Sequence, residues 1–279
     1  MARAFSSFVG VDLGGGRGKT TAVAQLRSAA NGSGVEVVEV ATRARGHAWT
    51  DDTLAEHFAV ATPGRVIAID APLAPPACAR CTLPACPGME ACVDPSVVWL
   101  RTEGRASMAS AQLATGSGRT ATTRERAVQA RLAPYAHRAT DVVMVYERGL
   151  LPPSSLGSGH GAIAARAGQL RKRFAGAGFT LHDNLIEVSP QATIAALCGP
   201  RVARGYKRDA DPWRTRALVL EQLGDLAFAP VSRMAREDVL RNDHCFDALI
   251  AAYTAYLWAR DDWQRPAGIA ADDGWIYAP

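Results

Sequence analysis

Apolar and polar positions change period several times along the chain, and each change marks an element. Residues 8–13 (FVGVDL) form a short apolar run that predicts a strand. A glycine-rich turn follows, Gly14 to Gly18, and TTAVAQL (Thr20 to Leu26) then alternates as a second strand. The turn NGSG (Asn31 to Gly34) leads into a third strand, VEVVEVATR. Three strands joined by short turns predict an antiparallel meander. DDTLAEHFAVA carries apolar residues at helical spacing, with Asp51 as its N-cap, and Pro63-Gly64 ends it. RVIAIDAPL (Arg65 to Leu73) is almost continuously apolar, as a strand covered on both faces must be.

The second half reads mainly as helix. Residues 74–96 are rich in cysteine and proline and predict an irregular insert. TTRERAVQARLA (Thr122 to Ala133) predicts a helix, whereas DVVMVYE (Asp141 to Glu147) suits strand or helix. PPSSLGSGHG (Pro152 to Gly161) reads as a loop. GAIAARAGQLRKRFAGAG predicts a helix closed by Gly176 and Gly178. NLIEVSP (Asn184 to Pro190) is a short strand, and QATIAAL, DPWRTRALVLEQLGDL and SRMAREDVL are helical. NDHCFDALIAAYTAYLWARDDW is a long apolar helix. A helix between neighbouring strands implies that part of the sheet is parallel. The expectation is one α/β domain over residues 1–279, with the cysteine-rich insert at about 74–96.

Composition narrows the picture little. Apolar residues make up 48% and charged residues 21% of 279, enough to bury a core, so disorder is not the default. No apolar stretch is long enough for a membrane helix, and the N-terminal run is too short for a signal peptide, so the expected location is cytoplasmic. A net charge of +4 is only mildly basic. The densest basic runs, Arg166 to Phe174 and Arg201 to Arg208, are either solvated helix faces or a track for a phosphate backbone.

The acidic residues carry more information. An Asp that ends an apolar strand is costly unless something satisfies it. Asp12 ends FVGV, Asp70 ends VIAI, and Glu187 occupies the matching place in NLIEV. All three are expected at the carboxyl edge of the sheet, where open α/β sheets place their sites. Asp243 and Asp247, four apart, open the last helix and share a face with Leu249, Ile250, Tyr253 and Leu257, which must dock on the sheet. Asp243 serves equally well as that helix's N-cap. Two like charges about 4 Å apart repel by roughly 4 kcal/mol at an effective dielectric near 20. Converging carboxylates therefore either protonate or bind a divalent cation, and Mg²⁺ and Mn²⁺ suit such oxygen ligands. Two such ions can activate a water and stabilise a leaving alkoxide, which is phosphodiester hydrolysis.

With these residues in view, the chain resembles the ribonuclease H-like superfamily, which includes the RuvC resolvases. It is most similar to domain-of-unknown-function family 429, whose members are predicted nucleases. The resemblance rests on FVGVDLGGGRGKTTAVA, VIAIDAPL, LIEVSPQATIAAL, DHCFDALIAAYTAYL and the terminal GWIYAP, in that order across the chain. It implies three antiparallel strands followed by two parallel ones, with metal-binding acids on the first and fourth strands and the last helix. Those positions are Asp12, Asp70 and Asp247; Glu187 carries over less directly, because the Pro that follows its strand suggests a structural role. It supplies no substrate.

Cys78, Cys81, Cys86 and Cys92 follow the pattern C-x2-C-x4-C-x5-C. Without an export signal, four cysteines so close together point to metal rather than disulfides. The spacing resembles a zinc knuckle with Cys in place of His, and also the compact iron–sulfur loops of some DNA glycosylases. It predicts a structural Zn²⁺ or a 4Fe-4S cluster. Cys198 and Cys245 read as core residues. GGGRGKTT fails as a P-loop because the required first Gly is Leu13, although Arg17 and Lys19 remain available to phosphate. His244 stands near the expected site, as a proton shuttle, a phosphate contact or simply a helix-start residue. Arg124 and Glu125 read by default as a surface ion pair. The expectation is thus a metal-dependent nuclease acting on DNA or RNA, with Asp12, Asp70, Glu187, Asp243 and Asp247 as candidate catalytic acids. The rivals are a non-catalytic nucleic-acid-binding protein of the same fold and a sugar-kinase-like ATPase, for which the chain is short.

Overall fold

The computed structural model describes residues 3–15, 20–30, 32–115, 132–146, 148–149, 161–229, 236–269 and 271–279. The expected helix at 122–133 with Arg124 and Glu125, most of the 152–161 loop, and Arg17 and Lys19 lie outside them, apart from residues 132–133 and 161.

The strands are β1 (Ser7–Asp12), β2 (Ala22–Ser28), β3 (Val35–Ala41), a small hairpin of β4 (Arg43–Ala44) and β5 (His47–Ala48), then β6 (Arg65–Asp70), β7 (Leu185–Val188), β8 (Leu226–Phe228) and β9 (Ile276–Tyr277). Seven of them form one mixed sheet in the order β8-β3-β2-β1-β6-β7-β9. β1, β2 and β3 pair antiparallel, as the meander requires, with a bulge between Gln25 and Leu26. The β1–β6, β6–β7, β7–β9 and β3–β8 pairs are parallel. Both edge strands, β8 and β9, come from segments whose sequence pattern did not announce them. Each is only two or three residues long, too short for a period to show.

The helices are α1 (Asp51–His57), α2 (Ala77–Arg80), α3 (Pro95–Trp99), α4 (Arg105–Thr115), α5 (Ala139–Tyr146), α6 (Gly161–Gly176), α7 (Pro190–Cys198), α8 (Pro200–Gly205), α9 (Pro212–Gln222), α10 (Arg236–Arg241) and α11 (Asp243–Arg260). The ambiguous segment is helical over its described residues, 141–146. α1 is capped by Thr50 through a reciprocal capping box with Thr53, and Asp51, expected as the cap, is instead its first helical residue. α11 is likewise capped by Asn242 rather than Asp243.

Alternation along the strands divides the core. Phe8, Ala24, Leu26, Val66, Ala68, Ile186 and Val188 face α11 and its neighbours. Val9, Val11, Ile67, Ile69 and Leu185 face α1 and α6 through Leu54, Phe58, Leu170 and Phe174. α11 is buried on nearly every side. It lies so close to β1 that a Cβ on Gly10 would stand 2.0 Å from the Ala248 carbonyl oxygen. Only glycine admits that approach. No helix among the described residues is long and apolar enough to cross a membrane.

Candidate metal centre

The parity that puts Phe8 and Gly10 against α11 also puts Asp12 there, and the parity of Val66 and Ala68 does the same for Asp70. The two aspartates are direct partners in the parallel β1–β6 register. α11 runs over this face and supplies Asp247 one turn from its N-terminus. One carboxylate oxygen from each of Asp12, Asp70 and Asp247 lies within 4.8 Å of the others. Among the described residues this is the one group of three or more such donors gathered so closely.

The electrostatics follow from this crowding. Burial, then the charges of Asp12 and Asp247, hold the Asp70 carboxyl well above the usual range. Burial lifts Asp247 to about 6 although the Lys207 ammonium opposes the rise. Lys207 forms an ion pair with Asp247, and Asp247 itself is 1% exposed. Asp247 Oδ1 is buried without a hydrogen-bond partner among the described residues, an unsatisfied acceptor of the kind native structures rarely leave unexplained. His244 Nδ1 lies 2.6 Å from Asp12 Oδ2. This hydrogen bond, against the opposing effect of burial, raises the imidazole above its ordinary value. The site opens into a cavity of about 250 Å³ lined by Asp12, Asp70, Glu187, Gln191, Tyr206 and Lys207.

The other two expected acids have different surroundings. Glu187 pairs in register with Ile69, not Asp70. Alternation turns it to the face opposite Ile186 and Val188, away from α11. Its two oxygens accept hydrogen bonds at 2.8 Å from both terminal nitrogens of the fully buried Arg138, and Oε2 also accepts from the Leu73 amide. Arg138 grips Asp141 as well. Asp243 stands a full turn above Asp247, about 6 Å along the helix axis, and is not part of the gathered group.

Sequence reasoning missed Lys207 and Arg138. Lys207 sits within the basic run 201–208, which showed only charge density. The turn after α8 aims it: buried Arg216 donates from Nε to the Tyr206 carbonyl at 2.8 Å, and Thr215 holds Asp209. The other basic run lies on α6, where Arg166 binds Asp51, the Gly14 carbonyl and Thr21. Arg173 there pairs with Asp52. These two arginines brace the fold around β1 and α1.

The four insert cysteines are free thiols. Cys78 is pushed up first by burial and then by Cys86, Cys92 and Cys81. The four are not among the groups of donors gathered closely enough to hold a metal ion. Cys245 is buried and Cys198 packs against the core, as expected of structural residues.

No curated protein and no solved structure matches the chain significantly. A family model described as "Protein of unknown function (DUF429)" matches residues 10–270, nearly the whole chain, which therefore belongs to the DUF429 family.

Proposed function

We propose that this chain has a ribonuclease H-like fold and is a metal-dependent nuclease that hydrolyses nucleic-acid phosphodiester bonds. The observation that carries the reading is the convergence of Asp12, Asp70 and Asp247, with one buried Asp247 oxygen that has no hydrogen-bond partner among the described residues. Three carboxylates offering hard oxygen donors fit Mg²⁺ or Mn²⁺. Three antiparallel strands continued by parallel ones, in the order β3-β2-β1-β6-β7, are what the resemblance implies for the superfamily. When bound, the cation supplies an activated water and neutralises charge on the phosphate.

The chain's own groups do the rest. Asp12 holds the His244 imidazole by a hydrogen bond that favours its protonated form, a proton source beside the cleft. Lys207 presents an ammonium where phosphoryl oxygens would gather negative charge. Glu187, locked by Arg138, holds the Leu73 amide and so fixes the chain just after Asp70. A second cavity of about 610 Å³ meets the first at Pro72 and carries Arg80, Arg171 and Lys172 on its walls. It offers a positive path for a strand leaving the site.

The test is cleavage of single-stranded, double-stranded, hybrid and branched DNA and RNA with Mn²⁺ or Mg²⁺, comparing wild type with Asp12→Asn and Asp70→Asn. Cleavage that both substitutions abolish is the expected result. Binding without cleavage on any substrate would instead make the chain a nucleic-acid-binding protein of the same fold. Neither binding nor cleavage would refute both readings.

A further inference from the structure

The chain just after Asp70 is fixed in place although it is neither helix nor strand. Residues 71–76 lead from β6 to α2. Three consecutive carbonyls there each accept from a different arginine. Leu73 accepts from Arg171 at 3.2 Å, Ala74 from Arg138 at 3.2 Å and Pro75 from Arg80 at 2.8 Å. The Leu73 amide donates to Glu187. Pro72, Pro75 and Pro76 restrict the same stretch from within, because proline fixes its own φ. Four hydrogen bonds and three prolines make a preformed wall, which has little ordering to lose when something binds against it.

This wall faces α6 across the cavity of about 610 Å³, and Gly168 lies on the far side. Gly168 stands in the interior of α6, where glycine weakens a helix relative to alanine. A Cβ there would meet nothing within 4 Å among the described residues. No close approach of the kind seen at Gly10 requires the glycine; its effect is to keep the cavity open. The volume falls within the range of small-molecule sites, roughly 300–1,000 Å³, which share its apolar walls and few polar groups. Its charged groups are three cations, Arg80, Arg171 and Lys172, against one acid, Asp272. Lys172 is exposed. The cavity joins the acidic cleft at Pro72, two residues after Asp70.

We infer that this cavity takes an unpaired nucleotide next to the phosphate at the acidic cleft, with its base against the prolines and its own phosphate at Lys172. The inference rests on the nuclease reading and names the substrate class for it: strands that carry an unpaired nucleotide, not continuous duplex. The apolar walls suit a base, the cations suit a phosphate, and the junction at Pro72 joins the two to the cleft. A base within a duplex must first be unstacked and unpaired to enter such a pocket, a cost that an unpaired base does not bear.

Binding of short fluorescein-labelled oligonucleotides to the full chain is measured by anisotropy, with Ca²⁺, another oxygen-seeking cation, in place of Mn²⁺. The probes are single-stranded DNA, single-stranded RNA, a fully paired DNA duplex and the same duplex with one unpaired nucleotide. Wild type should prefer the probes with an unpaired nucleotide over the paired duplex by about tenfold or more. Gly168→Leu fills the cavity and should abolish that preference, with circular dichroism confirming its fold. Lys172→Glu, at an exposed position, should weaken binding of the unpaired probes several-fold and decides the matter by itself where Gly168→Leu does not fold. Equal binding of paired and unpaired probes by wild type, or a wild-type preference in both variants, would overturn the inference. Such a result beside cleavage that Asp12→Asn abolishes leaves the nuclease reading standing. The expected preference without any cleavage upholds the cavity's occupant and removes the nuclease reading instead. No binding of any probe overturns the inference, and the cleavage assay then decides the nuclease reading separately.

Discussion

Replacing Asp70 by Asn removes one charge from the acidic cluster and keeps its shape. The partner oxygens lie within 4.8 Å, so at an effective dielectric near 20 each carboxylate repulsion is at least about 3.5 kcal/mol. The folded chain limits this cost by taking up a proton. Protonating a carboxyl of ordinary pKa near 3.9 at pH 7 costs about 4 kcal/mol, which is therefore the ceiling. Lys207 relieves part of the repulsion. The expected gain for metal-free Asp70→Asn is about 2–3 kcal/mol at pH 7, inside that ceiling. The sign of the pH dependence is fixed by the raised values of Asp70 and of Asp247, the latter at about 6. Both carboxyls bind a proton more tightly folded than unfolded. Their favourable contribution is complete below about pH 4 and is lost as pH rises, through about 6 for Asp247. The advantage of Asp70→Asn should thus be small near pH 4 and grow towards pH 7. Urea unfolding with chelator at several pH values reads it directly. Added Mn²⁺ should stabilise wild type, by about 2.7 kcal/mol at a hundredfold excess over Kd, and leave the variant unmoved. A variant no more stable than wild type at pH 7, or a gain that does not vary with pH, would refute the reasoning.

Three other outcomes follow from the same structure. Arg138→Met strands the buried carboxylates of Glu187 and Asp141 and should cost about 3–5 kcal/mol, lowering the urea midpoint by roughly 1 M or more. Lys207→Met removes the ammonium that neutralises Asp247; by calorimetry Mn²⁺ should bind several-fold more tightly, while any cleavage slows at least tenfold. Gly10→Ala drives a methyl into the α11 backbone at Ala248 and Ala252 and should destabilise by about 3 kcal/mol or more in thermal unfolding, weakening Mn²⁺ binding as Asp247 shifts.

Much of the centre was legible in the chain. Asp12 and Asp70 stood out because each ends a strand too apolar to tolerate a charge without cause; the docking of the last helix pointed to Asp243 or Asp247 alike, and only the family resemblance singled out Asp247. Glu187 followed an equally apolar run, yet β7 is offset by one position from β6, and one position of offset turns a side chain to the other face. Strand register is a property of pairs of strands, which one segment's composition does not reveal. Lys207 and Arg138 were hidden for a related reason. Their partners lie 40 and 49 residues away, and a basic residue in a helical or turn segment reads as surface until those partners are placed. The edge strands β8 and β9 exist only because β3 and β7 offer them hydrogen bonds.

The close seating of α11 on Gly10 bears on how the centre fails. Its three carboxylates stand on β1, β6 and α11, none of them on a loop that opens independently. Spreading the ligands means sliding the most buried helix off the middle of the sheet, which is global unfolding itself. On heating, loss of metal affinity and loss of secondary structure should therefore coincide in one transition, with no warm, folded, inactive state between them. The lifetime of the working protein at high temperature is then its unfolding rate.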